Sequence, residues 1–454
     1  MIKYVAIIAI AVILVSCGGN VDQKQDPNAF QVPVEYYKLP NGLKVVLSQD
    51  ATAPTVCVAV YYNIGFRIEP KDRTGFAHLF EHMMFQGSEN LGKNEFAKLI
   101  QQNGGILNGS TRFDFTNYFE IVPAHKLETA LWAEADRMKG LAITQDNLTN
   151  QQGVVKSEVK VNVLNQPYGG FPWLDMPQYA NKNWYNAHNF YGDLADLDSA
   201  KLEDVDKFFK TFYAPNNAVL AIVGDFESAD AKKWIEQYFG GLKTSELPAK
   251  PDISEPLQEA EQVFHKKDTL APKPALAVAY KMPNRNTPEY YAMGLIDQLL
   301  LQGGDSKLVQ KLTQEKGYTG NVTGGINYLG NMYNYNGPMV WMADLTYDPT
   351  VSPDSILNVF NQSVNELNSI TQEEIDLAVV KLRSDLYTTL GGNGFGRADL
   401  LASFALFDDD PSRINKIEGE FKKITIDVIK KTAAEYLTPA NRTILIVDPK
   451  NSAL

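Results

Sequence analysis

Apolar and polar positions along the chain fall into two long series built on one plan. "FYAPNNAVLAIVGD" (Phe212 to Asp225) and "YLTPANRTILIVDP" (Tyr436 to Pro449) agree in order and character, and Pro215 and Pro439 lie 224 positions apart. In each, a segment of helical periodicity stops at the proline. The β-branched run that follows is apolar throughout, which predicts a buried strand. The openings of the two series correspond more loosely. "APTVCVAVYYNIGFRIEP" precedes the helical "GFAHLFEHMMF", and "PKPALAVAYKMPNRNTPE" precedes the helical "YYAMGLIDQLLL". Each reads as a strand followed by a helix packed on the same sheet. Asn41-Gly42 within "KLPNGLKVVL" adds a tight hairpin turn to the first series. The segment "SELPAKPDISEPLQEAEQ", rich in proline and charge, reads as a linker. The pattern predicts an α+β fold of two homologous domains, residues 32–245 and 263–454, joined by a linker at 246–262. A chain of two like halves often makes its site in the cleft between them, but these halves differ in one decisive respect: only the first contains a histidine pair.

Ahead of both series, Lys3 precedes an apolar run of twelve, "VAIIAIAVILVS". It is too short to span a bilayer as a helix and the right size for the core of a secretory signal. The run ends in "LVSCGG", where Leu14, Ser16 and Cys17 resemble a bacterial lipoprotein cleavage box. The resemblance implies a signal peptide at 1–16 and a lipidated N-terminus at Cys17; a plain secretory signal ending near a cysteine is the alternative. Residues 17–31 are polar and aperiodic, as in a flexible tether. The expected location is the bacterial cell envelope, with the chain lipid-anchored on the periplasmic face of a membrane, the outer membrane foremost. Cys57, in "TVCVAVYY", has no second cysteine for an internal disulfide and reads as a small buried hydrophobe.

The formal net charge of −12 comes with no basic cluster, which argues against a nucleic-acid partner. Positively charged peptides would be mildly attracted. Candidate chemistry then concentrates in one place. The chain has five histidines in 454 residues, and two of them fall four apart in "TGFAHLFEHMMFQGS", with Glu81 directly before the second. On a helix, His78 and His82 sit one turn above each other, about 5–6 Å between Cβ atoms. Two imidazoles so placed can bind one Zn²⁺. Glu81, next to them, can take a proton from a water without itself being a ligand.

His78-Leu79-Phe80-Glu81-His82 is the reversed zinc-peptidase motif H-x-x-E-H. With "GGILNGSTRFDFTNYFE", "GVVKSEV", "LEDVDKFFKTFYAPNNAVLAIVGDF" and "GGDSKLVQKLTQEKG", the sequence resembles the pitrilysin or insulinase-like family of zinc metallopeptidases, which includes the mitochondrial processing peptidases. The resemblance covers nearly the whole chain after about residue 32. It implies that each domain is a mainly antiparallel sheet packed against helices, and that the two form half of a clam-like peptidase chamber. It also implies a third zinc ligand on another helix, and "NQQGVVKSEVKVNV" matches that helix, with Glu158 76 positions beyond His82. Many members carry a further glutamate two turns before the ligand; Gln151 stands there, which touches the tuning of the site rather than metal binding. The family's substrate lies as an extra strand on an edge strand that corresponds to Asn108, Gly109 and Ser110, read mainly through backbone. Two ordinary paired strands are the alternative for that stretch. The reaction implied is peptide hydrolysis on zinc held by His78, His82 and Glu158, with Glu81 as general base and extended or unfolded peptides as substrates.

Active members also place an Arg and a Tyr, seven positions apart, across the cleft. Aligning "KLTQEKGYTGNV" on Gly317 puts Thr313 and Gly320 at those positions. Lys311 and Tyr318 keep the interval but two positions early, which turns Lys311 to another helix face. The resemblance therefore implies a heterodimer in which a paralogous subunit supplies the missing pair; a homodimer, or rescue by Lys311 and Tyr318, is the alternative. Two further functions compete: a non-catalytic scaffold subunit of a related complex, and a peptide-binding lipoprotein with no need of Glu81. "GGNGFG" (Gly391 to Gly396) follows a helical segment instead of a strand, so it reads as a helix break and not a phosphate loop. His125, His188 and His265 read as surface or capping residues, and "FPWLDMPQYANKNWYNAHNFYG" as a loop packed on the sheet, with a lining of the chamber as the alternative.

Overall fold

The computed structural model of the protein describes residues 31–449; the expected signal segment, with Cys17, lies outside the described residues. In the first half, strands β1 (Glu35–Lys38), β2 (Lys44–Gln49), β3 (Thr55–Tyr62), β4 (Ile106–Thr111), β5 (Thr116–Pro123) and β6 (Ala218–Gly224) form one sheet in the order β1-β2-β6-β3-β5-β4. In the second, β7 (Gln262–Asp268), β8 (Ala275–Lys281), β9 (Thr323–Ile326), β10 (Val340–Thr346) and β11 (Arg442–Pro449) form another, in the order β7-β11-β8-β10-β9. The two share directions as well as order. β2 pairs parallel with β6 and β7 parallel with β11, and every other pairing is antiparallel.

The repeated proline has the same task in both halves. Pro215 and Pro439 each open a short 3-10 turn that feeds the central strand. Fixed φ and a missing N–H suit proline to that first position. Each turn ends on an asparagine that reaches back to the preceding helix: Asn217 Nδ2 donates to Phe212 O at 2.9 Å, and Asn441 Nδ2 to Tyr436 O at 2.7 Å. At the Asn41-Gly42 turn between β1 and β2, Gly42 has φ 86°, a conformation that glycine adopts without a Cβ penalty.

Each sheet is covered on one face by helices of its own half and on the other by the opposite half. On the first sheet, Leu79, Phe80, Leu131, Phe208 and Ile235 from four helices pack with Val45, Val58 and Leu220. The opposite face carries helix Phe395–Asp408 of the second half, which lies on β2, β3 and β6. There Phe395 stacks on Phe119 with ring centroids 3.8 Å apart, and Tyr61 Oη donates to Asp399 Oδ1 at 2.8 Å. The second sheet receives the reciprocal cover. Phe171, Met176 and Ala180 of the first half pack on Ala275, Ala277 and Ala279, whose small side chains alternate along one face of β8. Burial on both faces explains why the central strands are apolar without alternation. A buried pairing also joins the halves: Asp114 accepts from Arg67 Nε at 2.7 Å and from the backbone N–H groups of Asn336 and Gly337 at 2.8 and 3.2 Å.

The "GGNGFG" stretch is a break between helices: one ends at Leu390, and the next starts at Phe395 after Gly394 at φ 88°. Cys57 is buried in β3.

Candidate metal centre

Helix Phe76–Met83 turns Phe76, Leu79, Phe80 and Met83 into the core of the first half and leaves His78, Glu81 and His82 on its other side. Its N-terminus has no capping side chain of its own. Instead the buried Glu69 carboxylate accepts from Gly75 N at 2.9 Å and from Ala77 N, satisfying donors that the first turn leaves open. A second strap holds the same end. Gly75 (φ 80°) and Gly192 (φ 65°) approach so closely that a Cβ on Gly75 would lie 2.4 Å from Tyr191 O. Only glycines permit that contact, and it sets Tyr191 and Phe190 against His78.

His78 Nε2 and His82 Nε2 face each other at 3.3 Å. Glu158, near the end of helix Gln145–Val159, brings Oε2 to 3.6 Å from His78 Nε2 and 3.3 Å from His82 Nε2. Ligands at ~2.0–2.2 Å around a tetrahedral zinc stand roughly 3.3–3.5 Å from one another, so the observed spacings fit that ion. Among the described residues this is the one group of three such side chains with ligand atoms within 4.8 Å. Burial, reinforced by His82, lowers the His78 imidazolium to about 4. The ring is then neutral near pH 7, as a ligand must be. Glu158 is held below the ordinary carboxylate range, first by its hydrogen bond with His82 and also by Tyr191, whose Oη donates to Oε1 at 3.1 Å.

Glu81 stands beside the cluster and outside it. Thr111 Oγ1 donates to Glu81 Oε2 at 2.8 Å, and burial raises the carboxyl above its ordinary range against the pull of that bond. β4, which carries Thr111, is the free edge of the first sheet, and Asn108, Gly109 and Ser110 lie along it. Gly109 N–H bonds to Asn108 Oδ1 at 2.9 Å instead of to β5, so a main-chain donor of the open edge is occupied only by a neighbouring side chain. A Cβ on Gly109 would come within 3.3 Å of Glu81 Cγ. Its absence lets the edge pass close to the carboxylate.

All of these groups belong to the first half, which alone carries the histidine pair. The reason is local: helix, edge strand and strap are contiguous within one sheet. Gln151 is buried two turns before Glu158 on the same helix. Lys311 is held elsewhere, by Glu366 at 2.7 Å, and Thr313 Oγ1 bonds to Val309 O at 2.6 Å. His188 is a partly buried C-cap whose ring nitrogens face Trp184 O and Phe66 O. His265 is exposed and pairs with Asp448. Sequence reasoning missed Tyr191, Glu69 and Thr111. For Tyr191 the signal was the glycine after it, in an aromatic-rich stretch read as a sheet-packed loop with chamber lining as the alternative; its first part does pack on the second sheet, and its end reaches His78.

The comparisons agree with this architecture. Residues 44–183 match the family profile described as insulinase (peptidase family M16), and residues 199–382 match the one described as peptidase M16 inactive domain. The zinc protease PqqE of Helicobacter pylori is 25% identical over 450 residues, covering 97% of both proteins. The uncharacterized zinc protease YmxG of Bacillus subtilis is 24% identical over 63% of this chain and 68% of its own. A protease structure from Helicobacter pylori superposes with TM-score 0.84 at 24% identity, over 92% of this chain and 100% of that one. A peptidase M16 inactive domain structure from Pseudomonas fluorescens does so with TM-score 0.82 at 19% identity, over 93% and 99%. With both profiles matched in order along two like halves, and the H-x-x-E-H helix in the first of them, the chain belongs to the insulinase-like zinc metallopeptidase family M16.

Proposed function

We propose that the protein is a zinc-dependent endopeptidase that cuts extended or unfolded peptides. The observation that carries this reading is the convergence of His78, His82 and Glu158 on one point beside Glu81, next to the open edge of β4. His78, His82 and Glu158 would hold the zinc. When bound, the ion supplies Lewis acidity, making water a nucleophile near neutral pH and polarising a carbonyl. The rest is done by the chain. β4 takes the substrate as an added strand through Asn108, Gly109 and Ser110, and Asn108 gives up Gly109 N–H to the peptide carbonyl. Thr111 fixes one oxygen of Glu81 and leaves the other to accept a proton from the attacking water and pass it to the leaving amine. Tyr191 keeps Glu158 charged and oriented.

The relatives named as zinc proteases support the metal and the activity. The fold shared with a neighbour called an inactive domain keeps a second reading open, a non-catalytic scaffold or peptide-binding subunit. Zinc analysis and cleavage of an unfolded peptide separate the two. About one zinc per chain is expected, lost in Glu158→Gln and retained in Glu81→Gln, with hydrolysis abolished in both. Equal zinc in wild type and the His78→Ala/His82→Ala protein would sink the site. The proposal extends to a paralogous subunit supplying the Arg and Tyr that Thr313 and Gly320 replace, to domains at 32–245 and 263–454, and to anchoring in the bacterial envelope through Cys17.

A further inference from the structure

The two helices of the metal centre have counterparts in the second half. Leu79, Glu81, Gln86 and Gly87 correspond to Leu295, Asp297, Gln302 and Gly303, each 216 positions on, which sets Gln298 against His82 and Gly294 against His78. Ile143-Thr144-Gln145 and Ser157-Glu158 correspond to Ile370-Thr371-Gln372 and Ser384-Asp385, each 227 positions on. The structure keeps these equivalences. Thr144 and Thr371 both cap their helices. Gln298 Nε2 lies 3.4 Å from Asp385 Oδ2, where His82 Nε2 lies 3.3 Å from Glu158 Oε2. Gly325 on the edge strand β9 faces Asp297 as Gly109 on β4 faces Glu81. At Gly294 a Cβ would meet Phe421 at 2.9 Å and Met332 at 3.0 Å, so no imidazole fits there.

A cavity of about 410 Å³ occupies this place, within the size range of small-molecule sites. Asp297 and Asp385 line it, with Leu382 and Leu386 as apolar wall. Both side-chain bonds to Asp297, from Trp341 Nε1 at 2.7 Å and Gln302 Nε2 at 3.3 Å, fall on Oδ1. Asn327, on the same lining, is only 3% exposed; its Nδ2 donates to Asn331 O and Asn334 Oδ1, and its Oδ1 has no partner. Two carboxylates and a buried, unpaired carbonyl oxygen call for a ligand rich in donors. Among the described residues no third carboxylate, histidine or cysteine joins Asp297 and Asp385 at ligand distance, so the set is poor for a metal.

We propose that this cavity binds a guanidinium or alkylammonium group on an apolar stem, from a free amine or a basic side chain. A guanidinium carries donors enough for two carboxylates and the Asn327 carbonyl, and Leu382 and Leu386 offer an apolar wall for the stem. Binding is independent of the metal centre. Calorimetry on the full chain with N-acetylarginine amide and its neutral citrulline counterpart tests it. The arginine compound is expected to bind at least about tenfold more tightly, as charge-assisted hydrogen bonds imply. That preference should vanish in Asp297→Asn/Asp385→Asn and persist in His78→Ala/His82→Ala. Gln298→Lys, which puts an ammonium beside Asp385, should also abolish it, and circular dichroism checks that each variant is folded. An extended peptide with one internal arginine binding more tightly than the free amide marks a side chain as the source; equal binding marks a free cation. Equal affinity for arginine and citrulline compounds, or a preference that survives in folded Asp297→Asn/Asp385→Asn and Gln298→Lys proteins, would overturn the assignment.

Discussion

The hydroxyl of Tyr191 donates to Glu158 Oε1 at 3.1 Å, and its ring stands edge-on to His78 with centroids 5.2 Å apart. One side chain thus orients a carboxylate and packs an imidazole of the candidate centre. Tyr191→Phe keeps the ring and removes only the donor. Zinc affinity is expected to fall about tenfold, as for other partners that orient a ligand. Competition with a chromogenic chelator reads this directly, and unchanged affinity would remove Tyr191 from the site.

Gly109→Ala probes the approach of β4 to Glu81. The new Cβ would lie 3.2 Å from Tyr118 Cδ1 and 3.3 Å from Glu81 Cγ. Tyr118 is fully buried, so Glu81 is the side chain that must yield. The expected result is a fall in kcat of about tenfold or more, with zinc content retained and stability lower by about 1 kcal/mol. Wild-type kcat would show that the edge does not need this proximity.

Asp114→Ala tests the pairing that joins the halves. It strips Arg67, which is buried, of its carboxylate and leaves two backbone N–H groups of the second half without an acceptor. A loss of about 3–5 kcal/mol in urea unfolding is expected, the cost of an uncompensated buried charge. A loss below about 1 kcal/mol would mean that the contact contributes little to the join.

Asp297 gives a pH signature. Burial raises its carboxyl to about 6 against the opposing bonds from Trp341 and Gln302. A folded pKa above the unfolded one makes the native state the better proton binder. The contribution is therefore fully present below about pH 4 and lost as pH rises through 6. Asp297→Asn removes that loss and should raise stability at pH 8 by on the order of 2 kcal/mol, with the difference from wild type closing toward pH 4. Melting temperatures measured across this range decide it; a difference independent of pH would contradict the shift.

Cys17→Ser addresses the anchor. Membrane fractionation should show the wild-type chain with the membranes and the variant unprocessed at the lipoprotein site. A variant that is still cleaved there and still membrane-bound refutes the lipid.

What the sequence disclosed was whatever it encodes locally. The histidine pair, the paired prolines and the Asn41-Gly42 turn each need only a few adjacent residues, and each could be read directly. β3 was legible as a buried strand because cover on both faces leaves no polar alternation. Tyr191 was not legible, since its position depends on Gly75 and Gly192 meeting across more than a hundred residues. Nor was the role of helix Phe395–Asp408: "LLASFALF" is apolar on every side, which signals burial without saying against which sheet. Repetition in sequence reports common descent of the halves, and says little about which half assembles the chemistry.

The exchange of covering segments constrains how this polypeptide can move. Swinging one half away from the other would pull Phe395 off Phe119 and Phe171 off the alanines of β8, wetting two apolar sheet faces in a single motion. Cores packed in this way shift as blocks and do not flex like hinges. Residues 33–449 should travel as one body, so a gate that admits a peptide to Glu81 is not expected between the halves.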